Sequence, residues 1–232
     1  MNALLEIFTK VHTKSNLCSY RILKKNDEVI RYEYKKNKAD KIYFVIDGTL
    51  IAECEFEYSR NKFSSLVTET QVFGLESFVL SKYGSPPINY ALTAITDSVI
   101  LEINSEYFLD HLYSNPKLYH EIFSDTIKRY FLLAQSYQNS HQPPMVKVIY
   151  AFVNIMKILD LQPDCDNKIT FPRYINQKFL SKYIQSSESN ISIAVNYLEK
   201  QKLIQKKPFI LLKEKDLLMY LSKLLNKKEG LN

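Results

Sequence analysis

The chain has 232 residues, 46% of them hydrophobic and 24% charged, enough apolar material for one large or two modest domains with real cores, and too much for disorder over most of its length. Only four Gly occur in the whole chain, which nearly excludes a phosphate cradle built from glycines. No GxSxG, Walker-type or GxGxxG pattern is present, so catalysis has no visible foothold and no catalytic residue or enzyme activity is expected.

The N-terminus, Met1 to Glu6, lacks a basic n-region, and no later run of about 18 apolar residues exists, so neither secretion nor a membrane partner is expected and the cytoplasm is the expected location. Cys18, Cys54 and Cys165 are odd in number and widely spaced, without a CxxC pair. His12, His111, His120 and His141 show no ligand spacing. Reduced thiols, no metal and no cofactor are the expectation.

Leu4, Leu5, Phe8 and Val11 follow helical spacing, giving a short N-terminal amphipathic helix. From Tyr20 the pattern changes to short strand-like runs at 29–34, 42–46, 49–56 and 63–67. Asp47-Gly48 lies between two of them and predicts a hairpin. A further strand pair is expected at 90–95 and 99–103, with the inward parity shifting at Thr96-Asp97-Ser98. Strands at this spacing indicate an antiparallel sandwich or barrel rather than a βαβ fold.

Helices follow from Asn104. Ser105 to Tyr113 makes a short one, and Asn115-Pro116 reads as an N-cap with Pro at the first helical position of a long helix reaching about Asn139. Phe123, Ile127, Tyr130, Ala134 and Tyr137 recur at alternating spacings of four and three, a short coiled-coil seam suited to dimerisation. The competing reading packs this stripe on the β-domain. Ile122, Phe131 and Leu133 remain for that other side, and apolar surface this nearly continuous around a helix needs more than one partner. His141 to Pro144 ends the helix as a hinge, and 145–161 forms another amphipathic helix through Ile149, Phe152, Val153, Met156 and Leu159.

Residues 176–204 read as two short helices joined by a tight turn. Asn176 caps the first, which buries Leu180 and Ile184 and turns Lys178 and Lys182 outward. Gln185-Ser186-Ser187 breaks it. Ser187 caps the second, Glu188 sits at the positive end of its dipole, and Ile191, Ala194, Val195 and Leu198 form its buried stripe. Ser189, Asn190, Ser192, Ile193 and Asn196 make the open face. Two short apolar runs broken by Lys206-Lys207-Pro208 then read as a β-wing, which completes a winged helix-turn-helix. A C-terminal amphipathic helix at 216–228 carries Leu217, Leu218, Leu221, Leu224 and Leu225 on one side. A helical pair packed for structure alone is the bland alternative, and charge weighs against it. Residues 170–213 hold eight Lys or Arg against two Glu, a balance of +6, whereas residues 1–169 hold 19 basic and 20 acidic residues. A local basic patch beside a groove-sized helix is the electrostatic footprint of a phosphate backbone.

The order of these parts resembles the Crp/Fnr family of transcription regulators over nearly the whole chain. Three stretches carry the resemblance: Ile42 to Leu50, similar to the family's barrel hairpin, where a Gly follows the apolar strand; Val72-Phe73-Gly74, where its ligand cassette begins; and Leu198 to Ile204, similar to the end of its recognition helix. The resemblance implies an α+β fold with an N-terminal antiparallel β-roll or jelly-roll barrel (1–114), a long dimerisation helix (115–141) and a C-terminal winged helix-turn-helix domain (142–232). Cyclic-nucleotide-binding members place Glu after that Gly and Arg-Ser further on. Here Leu75 follows Gly74, Ile88-Asn89 takes the Arg-Ser position, Leu133-Ala134 stands where hydroxyls meet the purine, and Glu76 is a single nearby carboxylate. A phosphate buried without a cation is costly, so cyclic AMP is not expected. Cys18 alone does not make an iron-sulfur site.

The implied function is a homodimeric, sequence-specific transcription regulator that binds double-stranded DNA. Lys178, Lys182, Lys200, Lys206 and Lys207 would grip phosphates, while Ser187, Glu188, Ser189, Asn190, Ser192 and Ile193 lie at the reading end of the helix. Asn190 suits adenine and Ile193 a thymine methyl, which points to an AT-rich, roughly palindromic site. The barrel would take a small-molecule or protein effector other than a cyclic nucleotide, or none. RNA polymerase is a further expected partner if binding activates, although no motif marks a surface for it. The alternative is a ligand- or protein-binding module of the same architecture that no longer reads DNA.

Overall fold

The computed structural model describes residues 17–33, 40–56, 62–75 and 88–229. The helix expected through Leu4 to Val11 lies outside them. The described chain is α+β and clusters into two compact units, Met1–Phe131 and Leu132–Asn232.

The first unit contains β1 (Cys18–Leu23), β2 (Glu28–Tyr32), β3 (Lys41–Asp47), β4 (Thr49–Phe56), β5 (Lys62–Thr68), β6 (Val72–Phe73), β7 (Ile88–Ala94) and β8 (Ser98–Asn104). They form two four-stranded antiparallel sheets, ordered β1-β8-β3-β6 and β2-β7-β4-β5, the strand order of a jelly roll. The run Ile42-Tyr43-Phe44-Val45 is apolar at every position because β3 is covered on both faces. Tyr43 and Val45 join Leu50, Val67, Leu92 and Ile100 in one core, while Ile42 and Phe44 join Leu101 and Ile103 in another.

Two local expectations are corrected here. Strands β3 and β4 do not form a hairpin at Asp47-Gly48: β3 pairs with β8 and β6, and β4 with β5 and β7. Gly48 instead turns the chain from one sheet into the other at φ +94°, where a Cβ would stand 2.2 Å from Ser98 Oγ and 2.7 Å from the Asp97 carbonyl oxygen. An Asp-Gly signal reports a left-handed turn, and here the turn is a corner. The same holds for Thr96-Asp97-Ser98. Strands β7 and β8 belong to different sheets, and the change of sheet is the reason for the parity shift. The Thr49 N–H donates to Thr96 Oγ1 at 2.9 Å, and the Lys25 N–H to Asp97 Oδ1 at 2.9 Å, which ties the corner down.

Helix α1 (Ser105–Ser114) starts where Asn104 Oδ1 accepts from the N–H groups of Glu106 and Tyr107, each at 3.1 Å. In α2 (Pro116–Gln138), Asn115 Oδ1 accepts from the Leu118 N–H at 3.2 Å. Phe108 and Leu112 of α1 and Leu118 and Ile122 of α2 cover the outer face of β3 and β8. Phe131, expected on that packed side, is 66% exposed. Nine residues beyond Ile122 is about two and a half turns, which places it on the opposite face.

The second unit is built around α3 (Pro144–Ile158), whose residues Val146, Val148, Ile149, Ala151, Phe152, Val153, Ile155 and Met156 are all buried. A helix apolar nearly all round is a core helix. Phe152 has its ring 5.1 Å from Phe171 and 5.2 Å from Phe209, so the wing strands close over α3. Around it stand β9 (Ile169–Thr170), α4 (Gln177–Tyr183), α5 (Glu188–Lys200), β10 (Ile204–Gln205), β11 (Ile210–Leu211) and α6 (Glu214–Glu229). The wing is a three-stranded sheet ordered β10-β11-β9. Its β9 strand, two residues long within a polar stretch, is not expected from the sequence. Of the expected apolar side of α6, Leu217 and Leu221 are buried and Leu218 is exposed.

Candidate nucleic-acid interface

The helical pair forms as its side chains dictate. Asn176 Oδ1 accepts from the Phe179 N–H at 2.9 Å, starting α4. Phe179, Leu180 and Tyr183 are buried, with the rings of Phe179 and Tyr183 stacked 5.6 Å apart, and burial pushes the Tyr183 phenol well above its ordinary range. Lys178 and Lys182 remain on the exposed side. In the turn, the Ser186 N–H donates to the Ser181 carbonyl at 3.0 Å, Ser181 Oγ donates to the Ser186 carbonyl at 2.8 Å, and Gln185, at φ +51°, donates its amide to the Lys182 carbonyl at 2.7 Å. A left-handed residue without Gly is unfavourable, and these bonds hold it in place.

Ser187 Oγ accepts from the Asn190 N–H at 3.3 Å and starts α5, with Glu188 in the first turn. Ile191, Ala194, Val195 and Leu198 are buried, which turns Glu188, Ser189, Asn190, Ile193, Asn196 and Lys200 to the outside and leaves Ser192 half-buried. Ile193 is 65% exposed, which leaves an apolar side chain on the open face of α5.

Between α4, α5 and the wing turn runs an open groove of about 1050 Å³. It brings together Lys178, Ser192, Lys206 and Lys207 from the expected set. Lys182 and Lys200 do not line it, and Glu188, Ser189, Asn190 and Ile193 lie at the exposed N-terminal half of α5 instead. Arg173, Gln177 and Asn196 also line the groove, although sequence reasoning gave them no contact role. Arg173 counted towards the local charge, but it precedes the cap in irregular chain, where no periodicity assigns a direction. Lys206 is only half-free. Its ammonium lies 2.8 Å from Glu199 Oε2 and donates to Asn196 Oδ1 at 2.6 Å, and this hydrogen bonding holds the Glu199 carboxyl below its ordinary range.

Two other expected sites are placed as follows. Along α2, Phe123, Ile127, Tyr130, Ala134 and Tyr137 are all exposed in the single chain, Tyr130 at 64%. In the barrel, Gly74 takes φ +95° with a Cβ position 2.9 Å from the Lys41 carbonyl oxygen, and Leu75 follows. The cassette continuing from it, with Glu76, lies outside the described residues. Among the described residues no helix is long and apolar enough to cross a membrane, and no three His, Cys, Asp or Glu gather as metal ligands.

No model of a protein family and no curated protein matches the chain. Solved structures do. A cyclic nucleotide-binding domain containing protein from Listeria monocytogenes shares 20% identity at TM-score 0.70, over 91% of this chain and 97% of that one. A CooA mutant from Carboxydothermus hydrogenoformans shares 12% at 0.67, over 95% and 96%. A transcriptional regulator of the CRP family from Thermus thermophilus shares 13% at 0.60, over 87% and 96%. Likeness at such low identity is likeness of fold. The fold is that of the Crp/Fnr regulators.

Proposed function

We propose that this chain, built on the Crp/Fnr fold, is a cytoplasmic homodimeric transcription regulator. The reading divides the chain into a barrel (1–114), a pairing helix (115–141) and a DNA-reading unit (142–232). The observation that carries it is the placement of charge. A net charge of +6 falls in residues 170–213, and Arg173, Lys178 and Lys207 stand together at one groove beside an exposed recognition helix. Fixed cations along a groove attract phosphates irrespective of sequence, and the exposed Ser189, Asn190 and Ile193 are suited to base edges. Asn pairs with adenine and Ile packs on a thymine methyl, so an AT-rich half-site is the favoured target. The exposed stripe on α2 supports pairing. Two copies bring two recognition helices to successive major grooves, and hence to an approximately palindromic site with half-sites about one helical turn apart.

The barrel, on this reading, takes a signal other than a cyclic nucleotide, or none. Leu75 and Ile88-Asn89 offer neither a carboxylate for a ribose nor a cation for a cyclic phosphate at the positions that members of this fold use. Sequencing of genomic DNA fragments retained by the purified full-length protein, across a salt series, tests the whole proposal. Recovery of an AT-rich inverted repeat that persists at physiological salt is the expected result. Diffuse, salt-labile retention in every condition overturns sequence-specific reading.

A further inference from the structure

Lys206 stands in the wing turn, where sequence reasoning counts it among the phosphate-gripping lysines. Its surroundings assign it another task. Its side chain is 25% exposed, its ammonium contacts both Asn196 Oδ1 at 2.6 Å and Glu199 Oε2 at 2.8 Å, and its own N–H donates to Glu199 Oε1 at 3.3 Å. An ammonium has three donors and no acceptor, so the Asn196 atom that meets it has to be the carbonyl oxygen. The orientation of this amide therefore follows from chemistry. Its NH2 group is turned away from Lys206, on a residue that is exposed and lines the groove with Arg173, Lys178 and Lys207.

Resting on the DNA-binding reading above, we propose that Lys206 is a positioning residue, which locks Asn196 as a donor-only contact to a backbone phosphate and itself neutralises no phosphate. Two consequences follow from the geometry. Asn196 is disfavoured for bidentate pairing with adenine, because that pairing would have to share the oxygen that is turned towards Lys206. Lys206 and Glu199 cancel as charges, so the cations left to meet phosphate in this groove are Arg173, Lys178 and Lys207. The position agrees with this role. Asn196 lies in the C-terminal half of α5, and it is the N-terminal residues of a recognition helix that meet base edges.

Three variants of the full-length protein, each titrated with a mixed-sequence duplex over a salt series, test the proposal. Lys178→Met should lower the slope of log affinity against log salt by about 0.9, the value for one lost phosphate contact. Lys206→Met combined with Glu199→Gln removes both members of the cancelling pair and should leave that slope at the wild-type value while affinity falls severalfold. Asn196→Asp keeps the bond to Lys206 but turns an oxygen towards the phosphates, and should lower affinity by about tenfold or more. A slope reduced by the Lys206→Met/Glu199→Gln change as much as by Lys178→Met overturns the proposal, as does wild-type affinity in Asn196→Asp. Reductive methylation of the free protein judges the clamp without DNA: Lys207 should react quickly and Lys206 slowly, and equal rates would refute it. Failure of the wild type to retain any duplex would end the DNA-binding reading, while the methylation rates still decide whether the clamp exists.

Discussion

Single side chains set the geometry of the second unit, and their removal has separable consequences. Ser187→Ala deletes the cap of α5 and should cost about 1 kcal/mol in urea unfolding, with Asn176→Ala costing a similar amount at α4. Glu199 gives a pH signature. Its folded value is depressed by Lys206, so the stabilisation it contributes is present above the ordinary glutamate value and is lost as pH falls through the lowered folded value. Side-chain carboxyl titration by NMR should find its midpoint below that of an unpaired glutamate, and Lys206→Met should return it to the ordinary range. Tyr183 acts at the other end of the scale. Burial raises its value, so the stability tied to its neutral form is complete below the ordinary tyrosine range and declines as pH rises through it. Tyr183→Phe should remove that alkaline loss in thermal melts.

At the level of elements, the prediction with the largest magnitude concerns the aromatic centre under the wing. Phe152 is fully buried against Phe171 and Phe209, so Phe152→Ala should destabilise the second unit by about 3–5 kcal/mol, measured by denaturant unfolding. This centre also shows what the sequence makes legible. Phe152 was readable from helical spacing, and the caps Asn115, Asn176 and Ser187 from local chemistry, because both signals act within a few residues. Strand β4 was readable to its end residues. Pairing was not. Asp47-Gly48 marks a left-handed turn in the same way whether the chain folds back on its neighbour or crosses to the opposite sheet, and only the packing of β8 against β3 distinguishes the two. The groove was half legible for the same reason. Lys178 and Lys207 were visible as charge on assigned elements, whereas Arg173 enters through a coil, and the pinning of Lys206 depends on the helix and the wing meeting in space.

For the whole molecule, pairing is the property on which the proposed function depends. Tyr130→Glu or Ile127→Glu would place a charge in the α2 stripe, and each should shift the protein from dimer to monomer in sedimentation velocity, with loss of binding to an inverted repeat but retained weak binding to a single half-site. A protein that sediments as the same dimer after either change would place pairing elsewhere.

The same stripe carries a thermal consequence. Phe123, Ile127, Tyr130 and Tyr137 are chiefly apolar, and the free energy of burying such surface near room temperature comes mainly from released water. Association through it should show a negative heat-capacity change in calorimetry and should weaken on cooling. A regulator assembled in this way would hold its two reading heads together more loosely in the cold, so that temperature alone, without any ligand at the barrel, would alter how much of the protein is competent to span a two-part site.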